Sequence, residues 1–252
     1  MSAPATDAGV QQGALAGRVI LVSGAHGALG NAASLACAQA GATVVLLGRK
    51  VPKLNRVYDA IARHGDGLPP PVNYPLDLEG ASADDYADMA ARIESELGRL
   101  DGVLHCAADF AGLTPLEHTD PAAFARALHV NLTARWWLTQ ACLPALKRAP
   151  DGALVFVVDD PERVGRAYWG GYGIAQHGLL ALVGMLHEEL GKSTVRVSAL
   201  QPGPMRTPLR AKAYVNEDDV LARDPASYSA ACVTLLSSAG SAHRGAVWNL
   251  QA

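Results

Sequence analysis

Cysteine is scarce in this chain of 252 residues. Its four thiols, Cys37, Cys106, Cys142 and Cys232, lie far apart and form no CxxC pair, so neither a metal site nor a disulfide framework is expected. They read as small buried hydrophobes in a reducing compartment, which makes the cytoplasm the expected location. Basic blocks are also missing. With 21 Lys and Arg against 24 Asp and Glu the net charge is −3, and nucleic acid is not an expected partner. Charged residues make up only 18% of the chain against 50% apolar ones, which excludes a disordered polypeptide. Residues 1–16 have neither a basic start nor an apolar stretch, so no targeting signal is read there and they are expected to form a flexible tail.

One long stretch lacks charge altogether. From Val19 to Gly48 there is no Lys, Arg, Asp or Glu, a length that would suit a membrane span. It carries five glycines, however, together with Ser23, His26, Asn31, Ser34, Gln39 and Thr43, and the glycines cluster where a turn would fall. It therefore reads as strand, turn, helix and strand buried inside a domain, and no membrane partner is expected.

What the chain does have is alternation. Apolar runs at Val19–Val22, Thr43–Leu47, Val103–Cys106, Leu154–Val158, Val195–Leu200 and Ala246–Leu250 read as strands, and Val72–Tyr74 as a short further one. Helical periodicity fills Val51–His64, Asp84–Leu97, Pro121–Lys147 and Tyr172–Leu190, with Pro52 and the first-turn acids marking helix starts. Uniformly apolar strands are covered on both faces, so the pattern predicts a doubly wound α/β protein with a parallel sheet. No repeat or linker divides it, and residues 17–252 are expected to form one domain.

The first strand runs into Ser23-Gly24-Ala25-His26-Gly27-Ala28-Leu29-Gly30 and an alanine-rich helix. Bare glycines let the backbone approach a pyrophosphate, and the helix start supplies free N–H groups, so this turn predicts dinucleotide binding. A tight turn without a ligand is the alternative. His26 either touches a phosphate or sits at the surface. After the second strand come Arg49 and Lys50, where NAD binders place an acid for the ribose 2′-hydroxyl. Two cations there favour NADP(H) over NAD(H), unless they form only a solvated loop. Asp77 and Leu78 follow the third strand at a sheet edge where an adenine would lie.

These residues, in this order, resemble the classical short-chain dehydrogenases/reductases from about Gly17 to the C-terminus. The resemblance implies a Rossmann-like sheet of seven strands with helices on both faces, a nicotinamide cofactor, and a homodimer or homotetramer. In that family the phosphate turn reads TGxxxGxG. Here Gly24 and Gly30 fit, the middle glycine position holds Ala28, and Gly27 gives a spacing closer to the extended branch of the superfamily. Asp77 matches the adenine-contacting acid. Asn131 matches the helix-kinking residue that holds a relay water, and Pro202, Gly203 and Thr207 match the PGxxxT loop at the nicotinamide. The family's NNAG segment appears as His105-Cys106-Ala107-Ala108. LDGVLH from Leu100 and GRAYWGGY from Gly165 resemble a bacterial subgroup of oxidoreductases.

The resemblance breaks at its catalytic centre. The family uses YxxxK on one helix, with a Ser thirteen residues before the Tyr. Tyr172 fills the tyrosine position, but Gln176 stands for the Lys and Asp159 for the Ser, and no lysine occurs between Lys147 and Lys192. Gln176 brings no charge, so the phenol keeps an ordinary pKa near 10 in this reading. An ionised Asp159 accepts hydrogen bonds where Ser would donate one to a substrate carbonyl. Three roles stay open for Asp159: a structural ion pair with Arg163 or Arg166, a substrate contact, or a general acid whose pKa Asp160 or burial has raised. His177 is expected to pack or face solvent. Trp136 and Trp137 belong to the core or, by resemblance, to a dimer interface, and Trp169 to the core or the substrate pocket. Pro208–Asp224 is expected to form a pocket lid. The sequence thus supports an oxidoreductase acting on an unknown carbonyl or alcohol, with an inactive dinucleotide-binding sensor or a scaffold as alternatives.

Overall fold

Strands of three to six residues, five of them almost wholly buried, organise the chain in the computed structural model, which describes residues 11–64, 67–214 and 222–251. In chain order the regular elements are β1 (Val19–Ser23), α1 (Ala28–Gln39), β2 (Thr43–Gly48), α2 (Val51–Ala62), β3 (Val72–Pro75) and α3 (Ala83–Leu97). There follow β4 (Gly102–His105), α4 (Pro121–Leu128), α5 (Ala134–Arg148), β5 (Ala153–Val157), α6 (Pro161–Val164) and α7 (Gly170–Glu189). The chain ends with β6 (Arg196–Gln201), α8 (Pro208–Ala211), α9 (Ser229–Leu236) and the three-residue β7 (Val247–Asn249). The sheet has seven strands in the order β3-β2-β1-β4-β5-β6-β7, every pair parallel. This is the Rossmann-like, doubly wound α/β sheet that the apolar runs and the resemblance predicted.

Alternation along β1 shows how the layers form. Val19 and Leu21 join a core cluster with Tyr86 and Met89 of α3, Leu138 and Cys142 of α5, and Leu179 of α7. Ile20 and Val22 join the opposite cluster with Ala33 and Cys37 of α1, Leu54 of α2 and Cys232 of α9. The period-two strand places successive side chains on opposite faces, and helices cover both. Three cysteines are buried in these cores, while Cys106 is half-buried. No helix among the described residues is long and apolar enough to cross a membrane.

The strand order reverses between β1 and β4, which opens a crevice at the carboxyl ends of the strands. The opposite end is tied by ions: Asp151, just before β5, pairs with Arg18 before β1 and with Arg196 at the start of β6, 2.7 Å away.

Two expectations need correction. The flexible tail cannot extend to residue 16, because Leu15 is fully buried and its amide donates to Ala40 O at 2.9 Å, closing the α1 end. Residues 1–10 lie outside the described residues. Pro121–Lys147 is not one regular helix. It is interrupted by a π-turn over His129–Thr133, centred on Asn131. For the expected lid, Pro208–Ala211 forms a helix and Met205 bridges to Arg223, while residues 215–221 lie outside the described residues.

Candidate dinucleotide and catalytic site

Glycine geometry makes the cradle. Gly24 leaves β1 at φ +68°, and a Cβ there would lie 2.6 Å from Ala107 Cα. A Cβ on Gly30 would collide with Gly24 O, so the turn packs against α1 only with bare backbone. Gly27 is the N-cap of α1 with no side-chain cap, and the first turn carries no acid. The N–H groups at that helix start are therefore available to an anion. Gly24, His26, Gly27 and Leu29 line a cavity of about 610 Å³ that follows the carboxyl ends of the strands. Ser23 and Gly30 sit behind the wall instead. Ser23 is buried, its Oγ accepting from Ala107 N at 3.5 Å.

The far end of the cavity is cationic. Arg49 and Lys50 follow β2 onto its wall, and Lys53, in the first turn of α2, joins them. His26 lies against the same group because Gly48 has no side chain; a Cβ there would collide with the ring. His26 Nδ1 is buried without a partner. Burial first, then Lys53, Arg49 and Lys50, lower its pKa below the usual 6.5, so the ring is neutral at neutral pH. Sequence reasoning missed Lys53, although its i+4 spacing from Arg49 was visible. Asp77 and Leu78 follow β3 onto the wall, Asp77 Oδ1 accepting from Glu79 N at 3.2 Å. Across the cavity mouth Arg126 of α4 bonds Glu79 at 2.7 Å and Asp109 at 2.9 Å, while Arg49 lies 3.9 Å from Glu79.

Tyr172, Asp159 and Gln176 meet on the cavity wall between β5 and α7. The Tyr172 hydroxyl donates to Asp159 Oδ2 at 3.1 Å. Asp159 Oδ1 takes an ion pair from Arg163 of α6 and a hydrogen bond from Asp160 N at 2.8 Å. Gln176 is buried, and its Oε1 accepts from Asp159 N at 3.0 Å. Arg163, rather than Arg166, is thus the cation on Asp159; Arg166 Nε donates to Glu162 O instead. Burial first and then the Asp159 carboxylate push the phenol pKa well above its ordinary value, while Arg135 and Arg163 pull it down. Phe110 and Trp169 close one side, their rings stacked 5.0 Å apart, with Phe110 5.1 Å from Tyr172.

The remaining expected residues divide. Pro202, Gly203 and Thr207 line the cavity after β6, and Thr207 caps α8 by accepting from Arg210 N. Asn131 does not face the cavity. Its side chain accepts from Asp109 N at 2.9 Å and donates to Asp109 O at 2.7 Å and Ala127 O at 2.8 Å, which fixes the loop after β4. One turn later Arg135 is buried at that loop, donating to Val157 O at 3.0 Å and to Ala107 O. Nothing in the sequence singled it out. His105, in place of the family's first Asn, is buried, stacked on Phe156 at 4.5 Å and 3.0 Å from Thr139 Oγ1. His177 packs, its Nδ1 2.9 Å from Gly173 O. No cluster of His, Cys, Asp and Glu among the described residues could hold a metal.

A bare glycine turn, an uncapped helix start and a half-buried imidazole with an unpartnered Nδ1 beside three cations fit an elongated, phosphate-bearing ligand. The family model described as short chain dehydrogenase matches residues 18–218. The uncharacterized oxidoreductase YciK of Escherichia coli is 35% identical over 216 residues, 86% of this chain and 84% of that protein. A short chain dehydrogenase from Pseudomonas syringae is 40% identical with a TM-score of 0.90, covering 96% of this chain and 97% of its own. One from Escherichia coli CFT073, solved in complex with NADPH, is 33% identical with a TM-score of 0.90, covering 96% and 100%.

Proposed function

This chain belongs to the short-chain dehydrogenase family, and on that premise we propose that it is an NADP(H)-dependent oxidoreductase interconverting a carbonyl and an alcohol, with Tyr172 as its proton-transfer group. The observation that carries the reading is the Tyr172 hydroxyl on the cavity wall, bonded to a group that can accept its proton. The choice of NADP(H) rests on Arg49, Lys50 and Lys53 standing together where an acid would repel a 2′-phosphate. The similar proteins from Shigella flexneri and Escherichia coli, solved with NADP and NADPH, support it.

When bound, the nicotinamide supplies or accepts the hydride. The chain's own residues handle the proton. In alcohol oxidation the substrate hydroxyl proton passes to Tyr172 Oη as the tyrosine proton moves to Asp159 Oδ2. In carbonyl reduction Tyr172 gives its proton to the substrate oxygen, which requires its hydroxyl to leave Asp159. Asp159 offers no donor of its own, so the arrangement suits oxidation better than reduction. Gln176 and Arg163 fix the Asp159 backbone and carboxylate respectively. Exposed Trp136 on α5, with Ile174 and Met185 on α7, supports a homo-oligomer paired through these helices.

One observation favours a second reading, a dinucleotide-binding protein without turnover. Asp159 is already satisfied by Arg163, Asp160 and Tyr172, so the site closes on itself without substrate. Calorimetric titration with NADPH and NADH, followed by a screen of carbonyls and alcohols, separates the two. The proposal expects NADPH to bind at least tenfold more tightly than NADH, and turnover that falls about a hundredfold or more in Tyr172→Phe. Binding without turnover on any compound selects the second reading. Binding of neither nucleotide overturns both.

A further inference from the structure

A positive charge is buried at the catalytic end of the cavity, and it comes from a helix the sequence did not implicate. Arg135, in the first turn of α5, is 1% exposed. Its guanidinium has two hydrogen-bond partners, Val157 O at the end of β5 and Ala107 O just past β4. Its Nε has no partner, and no carboxylate lies in ion-pair range among the described residues. Burying an unpaired cation is costly, and two backbone carbonyls offset only part of that. If the task were merely to bridge two carbonyls, a neutral amide donor would serve with less desolvation. Burial lowers the Arg135 pKa only to about 10, so the charge persists at neutral pH.

The groups around the Tyr172 hydroxyl fix what that charge faces. From the β5 end comes Asp159, from α6 Arg163, and from α5 Arg135, all lining the same cavity as Tyr172; α7 itself contributes neutral Gln176, bonded to Asp159 N. Arg163 pairs with Asp159, yet at the phenol the Asp159 carboxylate outweighs it. His105 and Cys106 of the β4 end stay neutral, the first because burial and Arg135 hold its pKa well below 6.5, the second because burial raises its thiol. Of the two cations that pull the phenol down, Arg135 is the stronger, and Arg163 alone of the two is paired with a carboxylate.

We propose that Arg135 replaces, from the neighbouring helix, the electrostatic role of the lysine that Gln176 has displaced, stabilising the phenolate left when the Tyr172 proton goes to a substrate oxygen. It is a positioning residue for charge and need not touch the substrate. The inference rests on the oxidoreductase reading for its purpose, but its test does not require turnover.

The test places a polyfluorinated tyrosine at position 172, whose more acidic phenol ionises while the protein remains folded, and follows its absorbance against pH. In Arg135→Met the phenol should titrate about one pH unit higher than in the parent, and in Arg135→Lys close to it. The deciding variant is Arg135→Met with Gln176→Lys. Charge restored from α7 should bring the titration back, which a mere bridge between strand ends would not do. If Arg135→Met does not fold, Arg135→Gln takes its place, since its amide can still donate to the two carbonyls without the charge, and the same rise is expected. A phenol titration unmoved by Arg135→Met or Arg135→Gln overturns the proposal, even if the protein turns over substrate. Shifts as expected with no turnover on any compound would uphold the charge and refute only the enzymatic reading.

Discussion

The Tyr172 hydroxyl donates to Asp159 Oδ2 across 3.1 Å, thirteen residues back along the chain. That bond directs the hydroxyl proton at a carboxylate acceptor, and Arg163 holds the carboxylate in place. A serine at position 159 would leave the hydroxyl free and add a donor of its own. Asp159→Ser combined with Gln176→Lys should therefore raise NADPH-dependent carbonyl reduction by about a hundredfold over the parent. The assay is loss of NADPH absorbance on a panel of aldehydes and ketones. No gain in a folded double variant that binds NADPH would mean the site differs from an ordinary reductase by more than these two residues.

Cofactor choice can be tested at the other end of the cavity. Arg49→Asp should weaken NADPH by about thirtyfold and leave NADH within about threefold, since only the 2′-phosphate meets the reversed charge. Lys50 and Lys53 remain on the wall, so binding is reduced and not abolished. The difference should shrink at high salt, because Arg49 is exposed and shares Glu79. Equal losses for both nucleotides would sink the assignment.

The sheet was legible because its central strands are apolar runs bounded by glycine, polar or charged residues, as with Val19–Ser23 between Arg18 and Gly24. α9 was not, because Ser229, Ala231, Cys232, Val233, Leu235 and Leu236 are all buried and leave no polar stripe to set a helical period. The glycine turn was readable as a cradle, but which residues face the ligand was not. Ser23 and Gly30 belong to the packing behind the wall, and only the fold shows it. Asn131 was found through its motif, yet its side chain anchors the Asp109 backbone. Arg135 left no trace in the sequence. An arginine within a long helical pattern reads as solvent-facing, and its burial follows only from α5 packing against the ends of β4 and β5.

His105 should make the fold sensitive to acid. Burial, then Arg135, hold its pKa well below 6.5 in the folded state, so the unfolded chain binds the proton first. The resulting stability is fully present above pH 6.5 and is lost as pH falls below it toward the folded value. His105→Asn removes that titration while keeping a polar group for Thr139. Its thermal midpoint should fall less steeply between about pH 6.5 and 4.5 than that of the parent. His26 and His243 are also lowered, so part of the slope survives. Identical slopes in the two proteins would show that His105 does not govern acid loss.

Gly24 and Gly98 separate two reasons for a bare backbone. Gly98, the C-cap of α3, has φ +75° with open space around it, so Gly98→Ala should cost only the strain of the left-handed region, about 1 kcal/mol. Gly24 has a similar φ of +68°, but its added methyl would also lie 2.6 Å from the Ala107 backbone. Gly24→Ala should therefore cost about 2–4 kcal/mol and push the loop after β4 away from β1. Ala107 also accepts Arg135, so the shift should reach the catalytic end as well as the phosphate turn. Urea unfolding of both variants measures the first effect, and NADPH titration the second. If Gly24→Ala were as stable as Gly98→Ala and bound NADPH normally, the contact between the glycine turn and the β4 loop would be loose enough to yield, and the cradle would not depend on it.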